Sequence, residues 1–543
     1  PVVALQAWVA VGSADETTDQ LGLAHVHEHM LFKGTENLGV GELAAMVESA
    51  GGQINAWTSF DQTVYHIVLA SRYSDLSLSL LADALQRSAF DPEELEKELE
   101  VIQEEIKRGK DSPTQTLSEQ LFSTAFQNHP YGRPIIGTSE SVDSFNREDI
   151  IQFYNSWYRP ENITLVAVGD FDSTQMRQSI LREFSWSDLV PTNANTPSRT
   201  PEAAQANTRI AVSYRDIQEG HVALGFHGPS LNHDDVPALE LLTIVLGQGN
   251  SSILHETLKR QEELVSDVFS YLYTPRDPGL LLFGANYRGD SEGPSPLEVL
   301  ERLSEELFKL RESPISTQDL DRALTMLESE TVYERETVQG RANRLGYFHV
   351  VAGDIGFEEH LLQLAAEVTP EDIMTVARRY LTPENMTVSF VTPTAHNSLI
   401  SEAEIQSRID AAYLNSQSLR QAASLTPDSR GIVRLEFPGG LTLLIQEDHT
   451  VPLVAMRAVF PGGVRFETEE NNGVHNFISE LLTGGTETMS ASEISQTIES
   501  MAGSINGFSG RNSIGLQMDV LSNSFENAFR LFADCLNQST LPD

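Results

Sequence analysis

Two distant stretches of this chain repeat each other at one fixed spacing, and no other feature of the sequence limits its folding as strongly. Residues 22–35 read GLAHVHEHMLFKGT and residues 473–486 read GVHNFISELLTGGT. Residues 48–55 (ESAGGQIN) and 499–506 (ESMAGSIN) match in the same way. Because 473 minus 22 and 499 minus 48 both equal 451, the register holds without a gap. A self-match in register means one folding unit used twice. A second repeat has another offset. EDII at 148–151 leads to YRPENIT at 158–164, and EDIM at 371–374 leads to LTPENMT at 381–387; 372 minus 149 and 383 minus 160 both equal 223. Each of these copies reads as an amphipathic helix, a Pro-containing turn and a β-rich strand.

The repeats divide the chain. Strand-like runs at 64–70, 222–226 and 280–284 alternate with long helical patterns at 92–108 and 297–312. The expected fold class is therefore α+β, built from homologous domains at 1–190, 209–392 and 431–543. The third is a degenerate repeat of the first and stops soon after its copy of the 22–35 segment. Residues 191–208, rich in Pro, Thr, Asn and Ala, are expected to link the first two domains. Residues 393–430, polar but helical by pattern over 403–414, are expected to link the second to the third. A length of 543 residues exceeds what one hydrophobic core holds, in keeping with several domains.

Composition removes whole classes of function. The net charge of −42 argues against a nucleic-acid partner, since phosphates require Lys and Arg to replace their counterions. The same charge permits basic ligands, although a solubility role spread over the surface accounts for it more directly. No apolar run approaches the roughly 20 residues of a membrane-spanning helix, so no membrane span is expected. The single cysteine, Cys535, allows no intrachain disulfide and no thiolate metal cluster. It fits a reducing compartment without excluding the periplasm, so the compartment stays open between cytoplasm and periplasm, or an organelle. Pro1 leads directly into the apolar residues 2–11 with no initiator Met or basic n-region, which reads as a trimmed chain.

Chemistry concentrates at residues 25–29. Residues 21–33 lack Pro, with Gly22 near their start and Gly34 just past their end, so a helix is expected there. Side chains four apart on a helix share a face, with Cβ atoms about 5–6 Å apart. His25 and His29 can then offer imidazole nitrogens to one ion, with Glu28 on the same face able to accept a proton from water. The order His-x-x-Glu-His is a catalytic zinc motif. Solvated histidines on a surface helix are the bland alternative. Three histidines and a glutamate within five residues of an otherwise apolar helix speak against it.

Catalytic zinc takes a third protein ligand and keeps one position open. Asp91 and Pro92 are suited to start a helix running through Glu98 and Glu105, with Leu99, Ile102 and Ile106 beside them on its buried side. Position alone leaves Glu98, Glu104 and Glu105 all open as the third ligand. A solvated acidic helix face is the alternative here.

Residues 22–35, INAWTS at 54–59, FDPEE at 90–94, the helix through Glu105 and HPYGRP at 129–134 closely resemble the pitrilysin-like, or inverzincin, zinc metallopeptidases. That family includes insulin-degrading enzyme and the mitochondrial processing peptidase. With both helix–turn–strand repeats the likeness covers nearly the whole chain. The resemblance implies Zn2+ held by His25, His29 and Glu105, with Glu28 as the general base activating a water. It implies Glu105 because the family's third ligand lies seven residues after a supporting carboxylate, and Glu98 stands seven before Glu105; residue 97 is Lys, so Glu104 has no such partner. It further implies that Asn55 and Ala56 lie on a strand edge that pairs with peptide substrates, and that an active and an inactive half close as a clamshell around a chamber.

The chain departs from the family pattern in two places. His25, Glu28 and His29 align with Asn476, Ser479 and Glu480 in the repeat, so the third domain is expected to hold no metal. Where the family ordinarily carries an Arg and, seven further on, a Tyr that grip the substrate, Lys259 and Ser266 stand here. In single-chain members the gripping pair belongs to a fourth domain. A missing C-terminal half or a partner chain is therefore expected to close the chamber. The function expected is zinc-dependent endopeptidase activity on peptides or unfolded segments. The competing reading is a non-catalytic structural or assembly subunit of the same family.

Overall fold

The computed structural model describes residues 1–186, 199–290, 293–394, 400–423, 432–437, 440–449 and 451–540. Of the two connectors expected from sequence, 191–198 and 395–399 with 424–430 lie outside the described residues. The chain divides into two compact units, Pro1–Ser424 and Leu425–Asp543.

The first unit holds two sheets. In the first sheet the strands β1 (Val2–Val9), β2 (Gln53–Thr58), β3 (Thr63–Ala70) and β4 (Ile163–Gly169) run in the order β2-β3-β1-β4, every pair antiparallel. Alternation assigns the faces: Val3, Leu5, Ala7 and Val9 of β1 meet Tyr65, Ile67 and Leu69 of β3 in one core. Helix α1 (Leu23–Met30) seals this core with Leu23, Ala24, Val26 and Met30, all buried. Burying each of the larger three contributes about 1.5–3 kcal/mol. Helix α2 (Pro92–Asp111) starts where the Asp91 carboxylate accepts the N–H groups of Glu93 and Glu94, with Pro92 at its first turn. It stops at Ser112, whose hydroxyl then caps helix α3 (Pro113–Ala125).

In the second sheet β5 (Arg209–Arg215), β6 (Glu219–His227), β7 (Asp267–Tyr273), β8 (Leu280–Arg288) and β9 (Met386–Pro393) run in the order β7-β8-β6-β9-β5. The first four reproduce the layout of the first sheet, and β5 is added parallel to β9. The two sheets exchange helices. Helix α3 follows the first sheet's α2 but packs Leu117, Leu121 and Ala125 against Ala223, Leu280, Leu282 and Val391 of the second sheet. Helix α4 (Val338–Tyr347) lies in turn on the first sheet's other face, where Gln6 Nε2 donates to Asn343 Oδ1 at 2.6 Å. Gly346 is required there, since a Cβ would stand 2.1 Å from the Trp8 indole. Helix α5 (Glu402–Ala423) falls within the stretch expected as a connector, yet Ile405, Ile409 and Ala412 are fully buried in the second sheet's core.

The second unit contains a hairpin of β10 (Ile432–Glu436) and β11 (Thr442–Gln446). It also contains a sheet of β12 (Leu453–Pro461), β13 (Ser504–Ser509) and β14 (Ser513–Leu521), ordered β12-β14-β13. Helix α6 (Val474–Leu481) corresponds to α1, and β13 to β2, each displaced by 451 at both ends. The 223-residue repeat appears as two 3-10 turns, Pro160–Asn162 and Pro383–Asn385, which lead into β4 and β9. Among the described residues no helix is long and apolar enough to cross a membrane.

Candidate metal centre

Gly22 opens the site. Its φ of +94° turns the chain so sharply that the helix expected over 21–33 begins only at Leu23, and it ends at Met30. A side chain at Gly22 is also barred by contact, because a Cβ would lie 2.6 Å from the Ile136 carbonyl oxygen. On α1 the His25 and His29 ring centroids lie 4.7 Å apart, the rings tilted by 60°. Glu105, two turns along α2 from Glu98, brings Oε2 to 3.9 Å from His25 Nε2 and 3.7 Å from His29 Nε2.

These three ligand atoms lie within 4.8 Å of one another, and among the described residues no other three His, Cys, Asp or Glu side chains do so. Ligands bound tetrahedrally at about 2.0–2.2 Å from zinc are about 3.3–3.6 Å apart, so the cluster needs only a small contraction to close on an ion. Two imidazoles and one carboxylate are a donor set that suits zinc.

The three glutamates left open by position alone point three ways. Glu98 is buried, accepts the His29 Nδ1–H at 3.0 Å and pairs with Lys33 at 2.5 Å. With Nδ1 on Glu98, Nε2 is the His29 nitrogen that faces Glu105. Glu104 is exposed and paired with Lys107 at 2.6 Å. Only Glu105 faces both histidines.

Glu28 lies half-buried on the same helix, and Thr58 Oγ1 on β2 donates to its Oε2 at 2.6 Å. Burial raises the Glu28 carboxyl above its ordinary range, against the Thr58 hydrogen bond and the His29 charge. Burial, with the nearby His29, pushes His25 down to about 4 and so favours its neutral, ligating form. For His29 burial acts downward, but the Glu98 hydrogen bond and the Glu105 and Glu28 charges outweigh it and raise the group. Burial likewise acts to raise Glu98, and the His29 and Lys33 contacts overcome it and lower the group.

Strand β2 is the sheet's edge. Asn55 is exposed there, and its Oδ1 accepts the Ala56 N–H at 2.8 Å. Lys259 pairs with Asp267 at 3.3 Å, and Ser266 Oγ donates to Glu219 at 3.1 Å, so both are engaged within their own sheet. In the repeat, Ser479 donates to the Asn476 carbonyl, and no imidazole replaces His25 or His29. Thr58, Lys33 and Glu16, the last bonded to the start of α1, went unnoticed in the sequence. Glu16 had a signal: Glu467 stands 451 residues on.

Fold and site together define a repeat-built α+β protein with an inverted His-x-x-Glu-His motif. Comparison with known proteins makes this specific. The model of the insulinase family, peptidase family M16, matches residues 1–139 and again 442–543, the two copies of the long repeat. The model of the peptidase M16 inactive domain matches residues 144–327. Zinc protease PqqE of Helicobacter pylori is 30% identical over 399 residues, covering 72% of this chain and 88% of that protein. An uncharacterized zinc protease of Bacillus subtilis, YmxG, is 28% identical over 395 residues, 73% of this chain and 94% of its own. Among solved structures, a protease from Helicobacter pylori superposes with a TM-score of 0.68 at 29% identity, covering 72% of this chain and 94% of that one. The periplasmic protease PqqL from Escherichia coli gives 0.63 at 20% identity, over 100% of this chain and 64% of that one. A peptidase M16 inactive domain from Pseudomonas fluorescens gives 0.65 at 19% identity, covering 72% of this chain and 93% of that one. The chain belongs to the M16, pitrilysin-like, peptidase family.

Proposed function

We propose that this chain is a zinc-dependent endopeptidase acting on peptides or unfolded segments, with His25, His29 and Glu105 as ligands and Glu28 as general base. The observation that carries the reading is the convergence of His25, His29 and Glu105 beside a partly buried carboxylate on the same helix. Zinc bound there would polarise a peptide carbonyl and lower the pKa of a water toward about 7. The chain's own residues do the rest. Thr58 holds one oxygen of Glu28 and leaves the other to take a proton from the attacking water and hand it to the leaving amine. The raised carboxyl of Glu28 brings its basicity closer to neutral pH, where such transfer is most efficient. Glu98 fixes the His29 ring. The free edge of β2, at Asn55 and Ala56, offers main-chain groups to an extended peptide, which would first release the Ala56 amide from the Asn55 side chain. The relatives' designation as zinc proteases supports the choice of metal.

A non-catalytic subunit is the second reading, favoured by the inactive-domain match. That match covers residues 144–327, which include none of His25, Glu28, His29 and Glu105.

The test is metal analysis with peptide cleavage. After dialysis the chain is expected to hold one zinc, none of it in the repeat that carries Asn476, Ser479 and Glu480. Phenanthroline should abolish cleavage of an unstructured peptide and added zinc restore it. A fresh preparation free of metal, or cleavage indifferent to the chelator, overturns the reading.

A further inference from the structure

Helix α1 carries two of the three proposed ligands and the proposed base, yet its N-cap residue, Gly22, has no side chain with which to cap it. The first N–H groups of a helix need an acceptor. Glu16 supplies two. Its Oε2 accepts the Gly22 N–H at 2.9 Å and its Oε1 the Ala24 N–H at 2.7 Å, and the residue is only 4% exposed. Glu16 sits on a loop that is itself tied to the β2–β3 turn: Ser13 N–H donates to the Ser59 carbonyl at 3.1 Å and Ala14 N–H to that of Phe60 at 2.9 Å. Thr58, the residue before that turn, holds Glu28. The bonds close a ring that runs from edge strand to loop, from loop to helix start, and from helix back to strand.

We propose that Glu16 is a positioning residue: it sets the placement of α1 against the edge strand β2, and so the tightness of the zinc site and the place of Glu28 beside a bound peptide. The inference rests on the zinc-peptidase reading. A second observation supports it. In the repeat, Glu467 Oε2 accepts the Gly473 N–H at 2.8 Å and its Oε1 the His475 N–H at 3.0 Å. Gly473 also has a φ of +94°, as Gly22 does. The device therefore belongs to the helix start, and only in the first unit does the helix beyond it carry the ligand pair.

Glu16→Gln and Glu467→Gln separate these roles. Three quantities are compared with wild type: zinc affinity by competition with a chromophoric chelator, amide hydrogen exchange, and kcat and KM on an unstructured peptide. Glu16→Gln is expected to weaken zinc binding by about 10–100-fold, the usual effect of losing support behind a ligand. It should speed exchange at residues 22–26 while the β3 amides stay protected, and lower kcat more than it changes KM. Glu467→Gln should speed exchange at residues 473–477 and leave zinc affinity unchanged. If Glu16→Gln unfolds, Glu16→Asp, which keeps the carboxyl group but shortens its reach, is read by the same three measurements. Wild-type zinc affinity and unchanged exchange at 22–26 in the substituted chain overturn the inference alone. A wild-type chain that binds no zinc overturns the peptidase reading, and this inference with it.

Discussion

Replacing Glu28 or Glu105 by its amide removes a different thing in each case. Glu28→Gln keeps both imidazoles and Glu105 but cannot accept a proton, so zinc content is expected to hold while kcat falls by about 10²–10⁴-fold. Glu105→Gln should instead lower the zinc content itself. Elemental analysis alongside peptide cleavage separates the two, and turnover of Glu28→Gln within a few-fold of wild type would remove Glu28 from the role of base. His25, Glu28 and His29 were legible in the sequence because helical spacing alone puts them on one face. Glu105 was singled out only by the family resemblance, which looks for a carboxylate seven residues earlier, and in the structure that carboxylate, Glu98, lies on the far nitrogen of His29. Thr58 was hidden. Its contact depends on how far β2 slides past α1, which no local pattern in either element encodes.

Helical patterns announce that one face is apolar and leave unsaid which sheet will cover it. That is why the crossing of α3 and α4 between the two sheets of the first unit could not be read ahead: α3 follows a helix of the first sheet and packs on the second. The same silence affected α5, whose helical pattern was visible over 403–414 while its burial was not. Ile409 is fully buried, and Ile409→Ala is expected to cost the first unit about 2–5 kcal/mol, the usual range for emptying such a position. Urea unfolding followed with bound zinc as a second signal checks this. A loss below about 0.5 kcal/mol, typical of surface positions, would return the segment to the status of a connector.

At the scale of the whole first unit, one partly buried cation ties the two sheets together. Arg199, in the stretch expected to be a mere link, binds Asp15 at 2.8 Å, Asp61 at 2.5 Å and Asp277 at 2.8 Å. Tyr131 donates to Asp61 at 3.0 Å and His129 stands 3.3 Å from Asp277. The His129 hydrogen bond, with Arg199 and against burial, lowers the Asp277 carboxyl from 3.8 to about 2. A carboxyl lowered on folding stabilises above its unfolded value and loses that contribution as the pH falls through its folded value. The stability gap between wild type and Asp277→Asn should thus be widest above pH 4 and close as the pH approaches about 2. Urea midpoints at pH 6, 4 and 2.5 measure it, and a gap independent of pH would assign the residue a role other than its charge. The second unit shows that shape and chemistry separate at this helix start. The left-handed glycine and the glutamate that caps the helix recur at 473 and 467, while Asn476, Ser479 and Glu480 stand where the first copy has His25, Glu28 and His29. A scaffold that places a helix so firmly is thus built alike whether or not the helix carries groups able to bind a metal.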